Sequence, residues 1–264
     1  MTGEPRLVRA DNPGPMTLEG TNTCLLGAER VLVVDPGPAD DAHVAAVLAA
    51  AGDALAGVLL THRHPDHAEA LGHPLLRDAL AAAGGTVLAA DPALGSAPDA
   101  DRLGAATDEP VELLAVPGHT DDSVALVLPR RRAVLTGDTV LGRGTSVVAH
   151  PDGDLTDYLT SLAALRARVG GDGSWRGLPG HGPVLPDLVR ALGDLLAHRH
   201  ARVEQVRTAL TALGDDLDDD LDGDALVDAV VARVYPEVTD PVLVHAAGRT
   251  VRATLVHLAR PATA

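Results

Sequence analysis

The sequence predicts an α/β domain followed by a small helical unit. Up to about residue 187, short apolar runs of strand length alternate with segments whose apolar residues fall at helical spacing. Beyond that point the texture changes, and no clear strand pattern remains. The length, 264 residues, suits one large α/β domain or one such domain with an appendage.

Residues 21–26 (TNTCLL) and 31–36 (VLVVDP) read as two strands around the turn GAER, and the Pro- and Gly-rich stretch at 35–38 stops the second. Residues 39–51 are Ala-rich with apolar spacing and predict a helix. A strand over 57–61 leads into a polar loop, a helix near 66–83 and a short strand from Thr86 to Ala90. Residues 91–110, rich in Pro, Asp, Gly and Ala, read as loop. Strands at 111–116 and 123–128 flank Pro117-Gly118-His119-Thr120, and 133–136 forms a hairpin with the second of them. Leu155, Tyr158, Leu159, Leu162, Leu165 and Val169 mark a helix. A last strand ends at Leu178-Pro179-Gly180-His181-Gly182. Then Leu188, Leu192, Leu195, Val203, Val206, Leu210 and Leu213 recur in helical steps, with Arg199 where one apolar step is missed. Two further helices follow near 224–234 and 240–258. The expected division is 1–187 and 188–264.

Composition excludes several classes. The formal net charge is −16, which favours solubility and disfavours anionic partners. Cationic side chains other than His are all Arg, and Arg130, Arg131 and Arg132 form the tight basic run. The single cysteine, Cys24, lies in a strand and reads as a small buried hydrophobe of a protein kept in a reducing, cytoplasmic compartment. Residues 1–20 are polar and Pro-rich, unlike a signal peptide, and no apolar stretch suggests a membrane span. Asp218, Asp220, Asp222 and Gly223 match the start of an EF-hand loop, but Ala229 stands where the bidentate Glu is needed, so a solvated acidic loop is expected.

Four metal-competent side chains, His62, His64, Asp66 and His67, follow the strand at 57–61. Alternate residues of an extended segment face one way, so His62 and His64 aim at one point. Pro65 opens a helix at its first turn, which redirects Asp66 and His67 toward a second point. His119, Asp138 and His181 each lie just after a predicted strand or at a Gly-flanked turn. The seven make five imidazoles and two carboxylates, a set suited to two metals sharing a bridging carboxylate with positions open to solvent. His43, His73, His150, His198, His200, His245 and His257 lack the strand-end glycine context and read as surface or capping residues, with His150 the best placed of them for a cleft.

The segments T-H-R-H-P-D-H at 61–67, P-G-H-T at 117–120, T-G-D-T at 136–139 and P-G-H-G at 179–182 resemble the metallo-β-lactamase fold in its dinuclear, glyoxalase-II-like branch. The resemblance covers about residues 7–185 and implies a four-layer αβ/βα sandwich. A finer resemblance, carried by 12–23, 152–162 and 198–206, is to lactamase-β-like proteins with a small, mostly helical, winged-helix-like C-terminal domain. It implies that His62, His64 and His119 hold one metal, that Asp66, His67 and His181 hold the other, that Asp138 bridges, and that Asp35 orders the site without binding metal. It places Asn22, Thr145 and Ser146 near the cleft mouth as substrate contacts. Two departures stand out: Cys24 replaces a common aromatic, and the β-wing is short or missing. No cysteine lies near Asp138, so β-lactam hydrolysis is not the first expectation.

The resemblance implies a hydrolase with two divalent ions, zinc first and iron or manganese as alternatives, that uses a metal-activated hydroxide oriented by Asp66. The expected substrate is a small-molecule or carrier-bound ester or thioester. Members of the family also include an endoribonuclease cutting single-stranded RNA; that alternative needs Arg199, Arg202, Arg207, Arg249 and Arg252 to form a local basic groove. A non-catalytic winged-helix binding protein is the third reading, and the intact ligand set argues against it. Oligomeric state stays open.

Overall fold

A computed structural model of the chain describes residues 4–170, 174–214 and 223–260. Among the described residues, nine strands make two sheets. The first runs in chain order through β1 (Arg6–Arg9), β2 (Asn22–Leu26), β3 (Val31–Val34), β4 (Leu55–Leu59) and β5 (Thr86–Leu88). β1 to β3 pair antiparallel and β3 to β5 parallel. The second sheet holds β6 (Glu112–Ala115), β7 (Val124–Leu128), β8 (Ala133–Gly137) and β9 (Arg176–Pro179), antiparallel except for the parallel pair β8–β9.

The period of two in these strands builds the layers. Cys24, Leu26, Leu32, Val34 and Leu59 point from the first sheet onto Leu126, Leu128, Ala133, Leu135 and Leu178 of the second. Their neighbours Leu25, Val31, Val33 and Val58 point the other way, onto α1 (Asp41–Ala51) and, after the short α2 (Pro65–Ala68), α3 (Pro74–Ala83). On the far side, Ala125, Val127 and Val134 meet Leu162 and Leu165 of α5 (Leu155–Val169), which follows the short α4 (Ala100–Ala106). The result is the helix–sheet–sheet–helix sandwich that the resemblance implies.

The C-terminal part is α6 (Leu188–Gly214), α7 (Gly223–Val234) and α8 (Pro241–Ala259). α6 serves two cores: Leu188, Leu192 and Leu195 pack on the sandwich, whereas Val206, Ala209 and Leu213 pack with Val230 of α7 and Val251 of α8. No strand follows β9 among the described residues, so the unit is a helical bundle, and the winged-helix assignment lacks its wing. The acidic segment with Asp218, Asp220 and Asp222 lies outside the described residues.

Three other expectations change. The helix near 66–83 divides, because His73 precedes Pro74 and takes an extended conformation (φ −71°, ψ 128°) that caps α3. The region expected as loop contains α4, capped by Asp99, which accepts from the Arg102 amide at 2.8 Å. The sequence does not predict β1; its largely exposed Arg-Leu-Val-Arg gives no burial period, and its pairing to β2 at the sheet edge makes it a strand.

Candidate metal centre

Strand ends bring the seven predicted side chains together. β4 continues through Leu60 and Thr61 to His62 and His64, and Pro65 opens α2 there, turning Asp66 and His67 inward. His119 follows β6, Asp138 follows β8, and His181 follows β9. A side chain at Gly180 would place its Cβ 2.5 Å from Asp138 Oδ1 and 2.6 Å from His67 Cε1, so only glycine lets the chain pass this close.

His64 Nδ1 lies 3.0 Å from both His62 Nε2 and His119 Nε2. His67 Nε2 lies 3.2 Å from His181 Nε2. Asp66 Oδ2 is 3.1 Å from His181 Nε2 and 3.7 Å from His67 Nε2. Asp138 faces both groups: Oδ1 is 3.4 Å from His67 Nε2, while Oδ2 is 3.4 Å from His181 Nε2 and 3.7 Å from His119 Nε2. Three overlapping sets of donor atoms, His62/His64/His119, His62/His67/Asp138 and Asp66/His67/His181, each lie within 4.8 Å of one another.

The far nitrogens are anchored, which fixes each ring. His119 Nδ1–H donates to the Val147 carbonyl at 2.8 Å, and His67 Nδ1–H to Asp35 Oδ2 at 2.9 Å. His62 Nδ1 lies 3.1 Å from Thr61 Oγ1, and His181 Nδ1 3.3 Å from the Gly20 carbonyl. His64 is inverted, with Nε2 3.5 Å from Asp152 Oδ2. Asp35, 2% exposed and at φ +53°, also accepts from the Thr61 amide and hydroxyl, both at 2.7 Å. Such outer contacts orient donor rings around a cation.

The donor chemistry fits divalent metal. Imidazole nitrogens face one another at hydrogen-bond distance with their other nitrogens already engaged, and the buried Asp138 Oδ1 has no hydrogen-bond partner. Protons tell the same story. Burial, then the neighbouring imidazoles led by His67, holds His62 well below its ordinary value, and burial likewise lowers His119. Burial acts in the same sense on His67 and His181, but Asp138 and Asp35 outweigh it at His67, and Asp138 and Asp66 raise His181 to about 9. Asp138 is held well below the carboxylate range, because His67 and His181 outweigh its burial.

Four of the donors, His64, Asp66, His119 and Asp138, floor a cleft of about 370 Å³. Met16, Val147, Ala149 and Val242 give it apolar walls, and His245 and Arg249 reach it from α8. Arg249 donates from Nε to the His150 carbonyl at 3.2 Å. His245, read from sequence as surface or capping, is exposed and also lines the cleft. His43, read the same way, is buried with Nε2 2.9 Å from Thr23 Oγ1. Arg63, inside the first ligand segment, carries no signal in the sequence; it pairs with Asp121, Asp122 and Asp152 and ties the 61–67 segment to the segments around His119 and Asp152.

The three expected substrate contacts have these surroundings. Asn22 donates from Nδ2 to the carbonyls of Pro179, at 3.1 Å, and Gly182, at 2.9 Å, bracing the turn that carries His181. The Ser146 hydroxyl donates to the backbone carbonyl of Asp138. Thr145 lines a separate cavity behind the cleft wall.

Fold and donor set together define a metal-dependent hydrolase. A sequence profile of the Metallo-beta-lactamase superfamily matches residues 16–216, and the chain belongs to that superfamily. It is 34% identical over 217 residues to the lactamase-like protein vrtG of Penicillium aethiopicum, a match covering 79% of this chain and 67% of that one. It is also 34% identical over 222 residues to an atrochrysone carboxyl ACP thioesterase of Paecilomyces divaricatus, covering 80% and 67%. The structure of a beta-lactamase domain protein from Burkholderia ambifaria shares the fold, with a TM-score of 0.71 at 22% identity over 98% of this chain and 88% of that one. No helix among the described residues is long and apolar enough to cross a membrane.

Proposed function

We propose that the protein hydrolyses an acyl ester or thioester, small or carrier-bound, at a dinuclear centre. The observation that carries this reading is a donor cluster at the floor of a cleft whose walls are mainly apolar, as an acyl chain requires. The thioesterase among its relatives supports the same bond class. In this reading residues 1–187 form the hydrolase domain, and residues 188–264 form the helical unit that supplies one cleft wall.

His62, His64 and His119 would hold one ion, Asp66, His67 and His181 the other, with Asp138 between them. When bound, two divalent ions lower the pKa of water and polarise the scissile carbonyl. Zinc, iron and manganese all suit imidazole and carboxylate donors. Asp66, with one oxygen 3.1 Å from His181 and 29% side-chain exposure, is placed to orient a water as well as to bind. Asp35 and Val147 hold His67 and His119 so that their Nε2 atoms stay aimed inward. Arg249 offers a cation at the cleft to an anionic group on the substrate or its carrier.

The ribonuclease alternative has less support. Three of the five arginines it needs are poorly placed for a groove: Arg199 is 4% exposed, Arg207 pairs with Glu204 at 3.4 Å, and Arg252 pairs with Asp224. The deciding experiment loads the protein with zinc, iron or manganese, counts bound metal, and offers acyl thioesters, esters, lactones and single-stranded RNA. We expect close to two ions per chain and turnover of a thioester or ester. A folded protein that binds no metal, or one that cleaves only RNA with a steep salt dependence, overturns the reading.

A further inference from the structure

Behind the wall of the metal cleft lies a second cavity of about 310 Å³. His198, Arg199 and Arg202 of α6 line one side, and Val238 and Leu243 line another. Among the described residues that line it there is no carboxylate, in a chain with a net charge of −16.

Arg199 is the unusual group. It is 4% exposed, and its guanidinium lies 5.0 Å over the Tyr158 ring. Nη2 donates to the Ser146 carbonyl, Nε is buried with no acceptor, and no carboxylate among the described residues pairs with it. Burying an unpaired charge is costly, and an aromatic face offsets only part of that cost. Arg202 adds a second cation; its Nη1 donates to the Val234 carbonyl at 2.8 Å, and it lies 4.4 Å over Tyr235. Burial and then the charges of Arg199 and Arg202 lower the pKa of His198, as a positive cavity demands.

We propose that this cavity is a second ligand site for a small organic anion, with its acidic head between Arg199 and Arg202 and its apolar body against Val238 and Leu243. Guanidinium groups pair with carboxylate and phosphate through parallel N–H bonds, so both head groups share the required chemistry. The cavity is joined to the metal centre by its own wall. Arg199 holds the Ser146 carbonyl, the Ser146 hydroxyl holds the Asp138 carbonyl, and Val147 accepts from His119. An anion that draws on Arg199 therefore acts on the segment that positions two of the metal donors. The site does not depend on which bond the metal cleft breaks.

Calorimetry of the metal-loaded protein with hexanoate, hexyl phosphate and neutral hexanamide tests the proposal. Carboxylates and phosphates also bind metal, so the reading comes from variants away from the cleft. Arg202→Gln removes one cation, and Leu243→Trp fills the cavity from a position that is already 37% exposed. We expect one anion equivalent to weaken about tenfold or more in Arg202→Gln, the cost of a lost charged hydrogen bond, and to vanish in Leu243→Trp. Hexanamide should bind to neither site class, and the stronger of the two anions identifies the head group. Circular dichroism checks each fold, and Leu243→Trp decides the matter if Arg202→Gln unfolds. Anion binding unchanged in the folded variants, no saturable binding beyond the metal cleft, or hexanamide binding as tightly as hexanoate overturns the proposal.

Discussion

The two donor trios sit side by side but are held differently. His62, His64 and His119 are all imidazole, and His64 lies at the mouth with its side chain 36% exposed. In Asp66, His67 and His181 the two histidines have no exposed side-chain surface, and Asp35 and Asp138 crowd around them. Without metal, His62 and His119 of the outer trio therefore keep neutral rings, while the inner trio stores protons on His67 and His181. One fold thus builds a site ready for a cation and, beside it, a site where a cation must displace protons. Carboxylate placement makes the difference, since burial alone drives all four buried rings toward neutrality.

Removing a donor breaks this comparison most severely. Asp66→Ala takes the carboxylate from the inner trio alone, and we expect metal content to fall from two ions toward one, with turnover lost and the fold retained. His64→Ala should empty the outer trio instead. Metal analysis and circular dichroism on both variants check this; Asp66→Ala protein with two ions and full turnover would refute the pairing of donors.

Asp35→Asn is the next largest. It keeps the size of the side chain but weakens the bond that holds His67 at 2.9 Å. Loss of an outer contact of this kind costs about 10- to 100-fold in metal affinity or activity. The loss should fall on the inner ion, so a chelator titration should show one site weakened and one unchanged.

Protons give a graded test. Folding raises His181 from 6.5 to about 9, so its pairing with Asp138 and Asp66 stabilises the metal-free protein fully below the unfolded value and is lost as pH rises through about 9. Thermal unfolding of the metal-free protein should therefore drop in midpoint between pH 6.5 and 9. The same protons must leave on metal uptake, so the inner ion should bind more weakly as pH falls below about 9 and should release protons to the buffer. His62 and His119 lie below their ordinary values, so the outer ion should release few. Equal proton release for both equivalents would remove the distinction.

The sequence made the inner and outer donors legible because each stands where an apolar run stops at a Pro or Gly. A strand end at a turn has little freedom, and alternation plus Pro65 already separates the directions of His64 and Asp66. The same logic cannot reach His245 and Arg249. They lie within the helical spacing of α8, and that spacing says which residues share a face without saying that the face closes a cleft formed by residues far away in the chain. α4 stayed hidden because Leu103 is its one large apolar residue, and β1 because both its faces are largely exposed. Arg199 was visible as a break in an apolar series; only packing shows that it is buried rather than turned to solvent.

Arg63 supplies the smallest expected effect and the finest test of how the outer trio is held. It lies between His62 and His64 and is 30% exposed, with Asp121 and Asp152 as partners. Ion pairs this open to water contribute about 0.2–1 kcal/mol each, so Arg63→Gln should lower the unfolding midpoint by only a few degrees. Its effect on metal should be selective. Asp152 would lose its nearest cation, and its Oδ2, 3.5 Å from His64 Nε2, would be freer to draw that ring outward. The outer ion should therefore bind a few-fold more weakly while the inner ion, braced by Asp35, keeps its affinity. A matched loss at both ions would mean that Arg63 acts on the whole sandwich, and equal affinities in the variant and the parent would mean that His64 is held by its neighbours at the mouth without help from the arginine.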